Sequence, residues 1–336
     1  MLKILFRLDA STAIGTGHLM RMLTLANALT IRAAHTHQHV RCSFYCYQLS
    51  APLQALIAQS GHQYLSADAL LADVQTVIDG QADWVIVDHY QIDQTWESQV
   101  RRYAKVLVID DLADRTHDAD ALLDQGPLRT PDDYQPWINA DCQLLLGPDY
   151  ALIGEHYRHH RQNMSRPFAR GLVCFGGADP VHATLRTLQS LDQLPQAMTI
   201  DWLLIAGAAN PDWEKLQQFC AKTRLKVTLK RHESEMPSQL AAYDFTIGAA
   251  GGMTWERCCI GIPTLAVAIV DNQVFNESVI ARYQLAQQLT LAQLANPAML
   301  ASALEQLEWQ REGYRQRSQA MIDGLGAIRI ADFLLT

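Results

Sequence analysis

His18 closes the run Arg7-Leu-Asp-Ala-Ser-Thr-Ala-Ile-Gly-Thr-Gly-His-Leu-Met-Arg21, with Gly15 and Gly17 just ahead of the imidazole. Histidine is the side chain best suited to take up a proton near neutral pH, and glycines beside it let a ligand approach the backbone closely. The spacing fits a general base in a cleft; it also fits a histidine that caps a helix or bonds a nearby carbonyl. Two more glycine clusters occur further on: Cys174-Phe-Gly-Gly-Ala-Asp-Pro180, with Gly176 and Gly177, and Ile247-Gly-Ala-Ala-Gly-Gly-Met-Thr-Trp-Glu-Arg257, with Gly251, Gly252 and Met253. Glycines that follow a strand and open a helix leave peptide N–H groups at the positive end of the helix dipole, a setting suited to a diphosphate. No Gly-Lys-Ser/Thr follows either cluster, and none of the three loops reads Gly-x-Gly-x-x-Gly, so nucleoside triphosphate hydrolysis and nicotinamide binding are disfavoured. Glu256 lies one helical turn beyond Gly252, where it suits ribose hydroxyls or, equally, a plain helix surface. Asn272 and Gln273 in Asp271-Asn-Gln273 suit a sugar or the cap of the next helix. Tyr90 in Asp88-His-Tyr90 is a hydrogen-bond donor for the same cleft.

The elements that must carry these groups follow from hydrophobic spacing. Residues 2–6 are mostly apolar and strand-like, whereas Leu19, Met22, Leu23, Leu25, Ala26 and Leu29 recur at helical spacing. The His18 segment is therefore a strand-to-helix loop, and in an open α/β sheet such loops form the ligand crevice. Strand-like runs at 40–47, 84–87, 106–109 and 144–146 alternate with helix-like stretches, and the alternation restarts at 172–175, 200–206, 225–229, 245–247 and 264–270. The expected architecture is α/β: two Rossmann-like doubly wound domains facing a cleft. The expected boundaries are 1–155 for the first domain, 156–170 for a basic, Pro167-containing linker, and 171–336 for the second, whose last helical stretch, from Arg311 onward, folds back across the linker.

A chain of 336 residues is long enough for two cores. Its 27 Lys and Arg against 35 Asp and Glu leave a net charge of −8, which argues against nucleic acid or an anionic membrane as partner. No apolar stretch reaches transmembrane length and no signal peptide opens the chain, so the expectation is a soluble, cytoplasmic protein, monomeric, with a small molecule as its partner. The seven cysteines lack zinc-site spacing and read as buried free thiols. His35, His37 and His39, like His156, His159 and His160, read as solvated surface. Asp110, Asp111, Asp114 and Arg115 read as a loop-bracing network. Neither a metal nor a cofactor is expected.

Read together, Ile14-Gly-Thr-Gly-His-Leu-Met-Arg21, Asp88-His-Tyr90, Ile109-Asp-Asp-Leu-Ala-Asp-Arg115, Phe175-Gly-Gly-Ala-Asp179, Trp255-Glu-Arg-Cys-Cys-Ile-Gly-Ile-Pro263 and Asp271-Asn-Gln273 span most of the chain. In these motifs it resembles the UDP-sugar hydrolases of pseudaminic acid biosynthesis, relatives of the GT-B glycosyltransferases. The resemblance implies a GT-B fold and hydrolysis of UDP-2,4-diacetamido-2,4,6-trideoxy-β-L-altropyranose to UDP and free sugar, with C–O cleavage and inversion at the anomeric carbon. It implies His18 as the key catalytic residue, Tyr90 and Asn272 as further active-site groups, and Glu256 on the ribose. Gly15, Gly17, Arg21, Gly176, Gly177, Gly251, Gly252, Met253 and Gln273 complete the expected substrate-binding set. The family often carries serines just before its Thr-Trp-Glu-Arg run, where this chain has Gly252 and Met253, so peptide N–H groups must hold the diphosphate. The competing expectations are a GT-B transferase that passes the sugar to an acceptor, and a nucleotide-sugar binding module without turnover, which would not require His18.

Overall fold

The computed structural model describes residues 1–10, 16–71, 74–163, 167–233 and 235–336, with Asn272 described in its backbone alone. Two compact units result, the first made of residues 1–155 and 324–336, the second of 156–323.

In the first unit, β1 (Leu2–Leu8), β2 (Val40–Cys46), β3 (Gln63–Ser66), β4 (Trp84–Asp88), β5 (Lys105–Ile109), β6 (Ala121–Asp124) and β7 (Gln143–Leu146) form a sheet in the order β3-β2-β1-β4-β5-β6-β7. Every pairing is parallel. Parallel strands are covered on both faces and so read as continuous apolar runs; β4 is buried from end to end. The order reverses between β1 and β4, where Leu8 sits opposite Asp88. That switch point is where ligands enter open α/β sheets, because the flanking connections leave in opposite directions. The helix Gly17–His35 follows β1 and buries Leu19, Met22, Leu25, Ala26 and Leu29 against the sheet. Each fully buried leucine contributes about 1.5–3 kcal/mol.

In the second unit, β8 (Arg170–Cys174), β9 (Asp201–Ile205), β10 (Lys226–Lys230), β11 (Phe245–Ala249), β12 (Thr264–Val267) and β13 (Gln287–Gln288) pair in the order β10-β9-β8-β11-β12-β13, again all parallel. Here the order reverses between β8 and β11, and the loops after these two strands carry Gly176-Gly177 and Gly251-Gly252. Phe168 stacks on Phe245 with centroids 3.8 Å apart, and Trp202 meets Phe245 edge-on at 5.5 Å, filling the centre of this core.

Two expected boundaries differ from the structure. The long helix Pro297–Met321 stops before Ile322, and a separate helix, Gly326–Leu335, belongs to the first unit rather than to a domain running 171–336. The cause is its stripe of Ala327, Ile330, Ala331 and Leu334, which lies in the same apolar cluster as Leu19, Met22 and Leu25; the Arg32 Nε–Asp332 Oδ1 pair at 2.7 Å adds a polar tie. The expected linker 156–170 is part of the second unit's framework. Arg161 Nη2 donates to the Gln319 carbonyl at 2.7 Å, and the Gln162 N–H donates to the Ile260 carbonyl at 2.9 Å.

Candidate active site

In the first unit the two ends of the switch point converge on one imidazole. His18, in the first turn of the helix after β1, is 8% exposed; Asp88, the last residue of β4, is 1% exposed. The two meet at 2.6 Å between His18 Nδ1 and Asp88 Oδ1. Arg21, one turn further along the helix, donates through Nε to Asp88 Oδ2 at 2.5 Å and through Nη2 to Asp88 Oδ1. Burial alone would raise the Asp88 pKa, but the Arg21 guanidinium and the His18 hydrogen bond outweigh it and hold this carboxyl well below the usual carboxylate range. An ionised carboxylate has no proton to give, so the shared hydrogen sits on His18 Nδ1, and in the neutral imidazole the lone pair is therefore on Nε2. The 3.1 Å approach of Arg21 Nη2 to Nδ1 is then a contact between two donors that share Asp88. Among the described residues, Nε2 makes no hydrogen bond. Such an arrangement can serve as an oriented base, by the same logic through which a buried aspartate fixes the tautomer of a catalytic histidine.

Tyr90 packs edge-on against the His18 ring, with centroids 5.1 Å apart, and donates its hydroxyl to Asp111 Oδ2 at 3.3 Å. Burial and the neighbouring Asp111 push its phenol up to about 12, so it acts as a donor. Arg21 Nη1 also stands 3.9 Å from Asp111 Oδ2. Arg21, expected to bind substrate, thus has its guanidinium engaged by two aspartates.

A buried layer beneath fixes these loop ends. Asp9 accepts from Arg7 Nη1 at 3.0 Å and from the Tyr47 N–H at 2.7 Å, and its other oxygen pairs with His89 Nε2 at 3.2 Å. Burial opposes ionisation of Asp9, but the His89 bond and the Arg7 charge lower it to about 2. Asp110 pairs with Arg115 at 2.8 Å and accepts the Ala113 N–H at 2.8 Å, which is the bracing role expected of this segment. Among the described residues, no three His, Cys, Asp or Glu side chains are grouped to hold a metal ion.

The glycine loops of the second unit are not equivalent. Asp179 accepts the Ala183 and Thr184 N–H groups, each at 2.8 Å, so the start of the helix Ala183–Leu191 is already occupied by a carboxylate. An anion arriving there would meet like charge. Gly176 and Gly177 face open space, and their carbonyls crowd Gly207, whose φ of +91° and lack of room for a Cβ admit only glycine. The helix Met253–Ile260, capped by Gly252, has no side-chain cap. Among the described residues, no hydrogen bond is made by the N–H groups of Gly251, Gly252 and Met253, and Gln273 Nε2 lies 3.2 Å from where a Cβ on Gly251 would sit. Gln273 Oε1 accepts the Ile269 N–H at 3.0 Å, which fixes the amide in that position.

Glu256 shares a hydrogen bond with Tyr157, and burial raises its carboxyl to about 7. Tyr157, flanked by His156 and His159 of the group that reads in sequence as solvated surface, is instead buried on the short helix Glu155–His159. Its only advance signal was its place among basic residues assigned to a linker. Gly17 is the first residue of its helix. Gly15 lies outside the described residues, and Asn272 is placed only as the middle of the helical turn Asp271–Gln273. Asp88, within the Asp88-His-Tyr90 segment, carries no local pattern that marks it as the partner of His18.

Two parallel, doubly wound units, each with a glycine-bearing loop at its switch point, make this a protein of GT-B fold. No protein-family model matches the chain. It is similar to the UDP-2,4-diacetamido-2,4,6-trideoxy-beta-L-altropyranose hydrolase of Campylobacter jejuni, with 26% identity over 275 residues that cover 81% of this chain and 93% of that protein. It is also similar to the spore coat polysaccharide biosynthesis protein SpsG of Bacillus subtilis, with 23% identity over 203 residues, 59% of this chain and 60% of that protein. Among solved structures, MurG of Acinetobacter baumannii superposes with a TM-score of 0.70 at 12% identity, covering 99% of both chains, a likeness of fold alone.

Proposed function

We propose that this protein hydrolyses a UDP-sugar, UDP-2,4-diacetamido-2,4,6-trideoxy-β-L-altropyranose, to UDP and the free sugar, in pseudaminic acid biosynthesis. The observation that carries the reading is the His18–Asp88 pair at 2.6 Å, which leaves Nε2 as a proton acceptor. His18 removes a proton from a water molecule as the water oxygen bonds to the anomeric carbon. The bond from that carbon to the diphosphate oxygen breaks, and its electron pair leaves with UDP. Attack on the face opposite the leaving group inverts the anomeric centre.

The residue inventory supports hydrolysis by one base. An ordinary inverting glycosidase needs a second carboxyl group as acid, because its leaving oxygen is a poor one. UDP departs as an anion and needs only stabilisation of developing charge. The free N–H groups at Gly251, Gly252 and Met253 suit that task, and Glu256 suits the ribose. The Campylobacter relative supports the choice of substrate. Proton NMR of the protein with this UDP-sugar and no acceptor tests it: free sugar should appear first as the inverted anomer, with UDP-N-acetylglucosamine untouched. Turnover only on addition of an acceptor would instead establish a transferase, the reading that the GT-B fold keeps open. His18→Ala should lose about 10²–10⁴ in turnover while binding UDP as before; unchanged turnover would remove His18 from the mechanism.

A further inference from the structure

We propose that Arg257 is a positioning residue for the leaving diphosphate, a buried cation that shapes the Gly248–Gly252 turn and places positive charge behind it. The proposal rests on the UDP-sugar reading above. Arg257 is 2% exposed, on the helix that opens at Met253. Its Nη2 donates to the Ala249 carbonyl and, at 3.3 Å, to Thr254 Oγ1. Its Nη1 occupies the space beneath Gly248, where a Cβ would collide both with that nitrogen and with the Cys174 carbonyl. The Cys174 carbonyl and the guanidinium together leave room only for glycine at 248, and the guanidinium pins the last carbonyl of β11, the point from which the loop departs.

The charge on Arg257 is the unexpected part. Arg7, equally buried, pairs with Asp9 at 3.0 Å, and Arg21 pairs with Asp88. Among the described residues, Arg257 has no carboxylate within ion-pair distance, and its Nε is buried without a hydrogen-bond partner. Its sequence neighbour Glu256 is turned to Tyr157. An unpaired buried cation is costly in a folded protein, and a guanidinium does not escape the cost by losing its proton. Such a charge is compensated when an anion binds at the loop it underlies, and the unpartnered N–H groups of Gly251, Gly252 and Met253 mark where. The opposite arrangement at Asp179, a carboxylate seated on its helix start, directs the anion away from the Gly176-Gly177 loop.

The test compares UDP with uridine, which has the base and ribose but no phosphate charge. Binding of both to the full-length protein is measured calorimetrically, or by ligand-observed NMR for the weaker one, in wild type, Arg257→Lys and Arg257→Met, with folding checked by thermal denaturation. The expected result is a loss of about tenfold or more in UDP affinity for Arg257→Met, a change of less than about twofold for uridine, and partial recovery of UDP binding in Arg257→Lys. Equal losses for both ligands would make Arg257 merely structural and overturn the proposal, as would unchanged UDP binding. If Arg257→Met fails to fold, Arg257→Lys decides alone: its UDP-to-uridine affinity ratio should fall, since its ammonium cannot reproduce the fork that holds Ala249 and Thr254. A wild-type protein that binds uridine but not UDP would overturn this proposal and leave a nucleoside site, whereas one that binds neither would sink the UDP-sugar reading itself.

Discussion

Asp88 and His18 are 70 residues apart in sequence and 2.6 Å apart in space. The contact exists because β4 ends where β1 ends, and the first turn of the helix that follows β1 carries the histidine. A carboxylate held ionised by Arg21 fixes the imidazole proton on Nδ1. Asp88→Asn keeps the size of the group but removes that constraint, since an amide can equally donate to Nδ1 and so stabilise the unproductive tautomer. Turnover should fall by about 10²–10⁴ with little change in KM. Steady-state kinetics on the proposed UDP-sugar substrate check this, and an unaffected kcat would show that Asp88 is structural.

Arg21 is expected to act through Asp88 rather than on the substrate. Arg21→Met leaves a buried carboxylate without its cation and should cost about 2–4 kcal/mol of stability. The sign with pH follows from Asp88. Its folded pKa lies below the unfolded value of about 3.9, so its contribution is present above that value and lost as pH falls through the folded one. In Arg21→Met the depression is removed, and the acid limb of the stability curve should move to higher pH. Urea titrations between about pH 3 and pH 7 measure both effects; a stability unchanged across that range would return Arg21 to the list of substrate ligands.

Much of this was legible in the chain itself. The shift from strand-like runs to helical spacing placed His18 in the first turn of a helix and Gly176 and Gly251 in strand-to-helix loops, and glycine spacing separated these segments from P-loops and dinucleotide folds. Other features depend on contacts between distant segments. The role of Asp88 needs the parallel register that sets Leu8 opposite it, and no local pattern reports register. The occupied helix start behind Gly177 needs the conformation of Asp179, whose φ is +46°. Arg257 reads in sequence as an ordinary helical arginine, and only the glycine at 248 hints that something fills the space beneath. The terminal helix showed its apolar stripe but not which unit the stripe would cover.

Gly207 supplies a sharper stability test than either glycine loop. Its backbone is left-handed, and a Cβ would overlap the carbonyls of Gly176 and Gly177. Gly207→Ala should therefore destabilise the second unit by about 2 kcal/mol or more. The overlap has no flexible side chain to yield, so the Gly176-Gly177 loop must shift with it. Thermal denaturation reports the first effect. Activity reports the second: if the Asp179-capped loop does not hold the diphosphate, UDP affinity should change far less than stability does.

Glu256 couples stability and binding in opposite directions. Burial raises its carboxyl to about 7, against roughly 4.3 in an unfolded chain. The folded protein thus holds this proton more tightly than the unfolded one. Its stability should decline as pH rises from about 4.3 to about 7 and level off above, by roughly 3–4 kcal/mol for a shift of this size. Glu256→Gln, which mimics the protonated form, should match wild type near pH 4.5 and exceed it near pH 8. If the ionised carboxylate accepts ribose hydroxyls, the same variant should bind uridine about tenfold more weakly at pH 8. Wild-type affinity for uridine should rise through about pH 7, while that of the variant stays flat. Uridine is the appropriate ligand because it has no phosphate to titrate over this range. A variant that gains stability at pH 8 without losing uridine affinity would place the ribose elsewhere and leave Glu256 as a buried acid held by Tyr157.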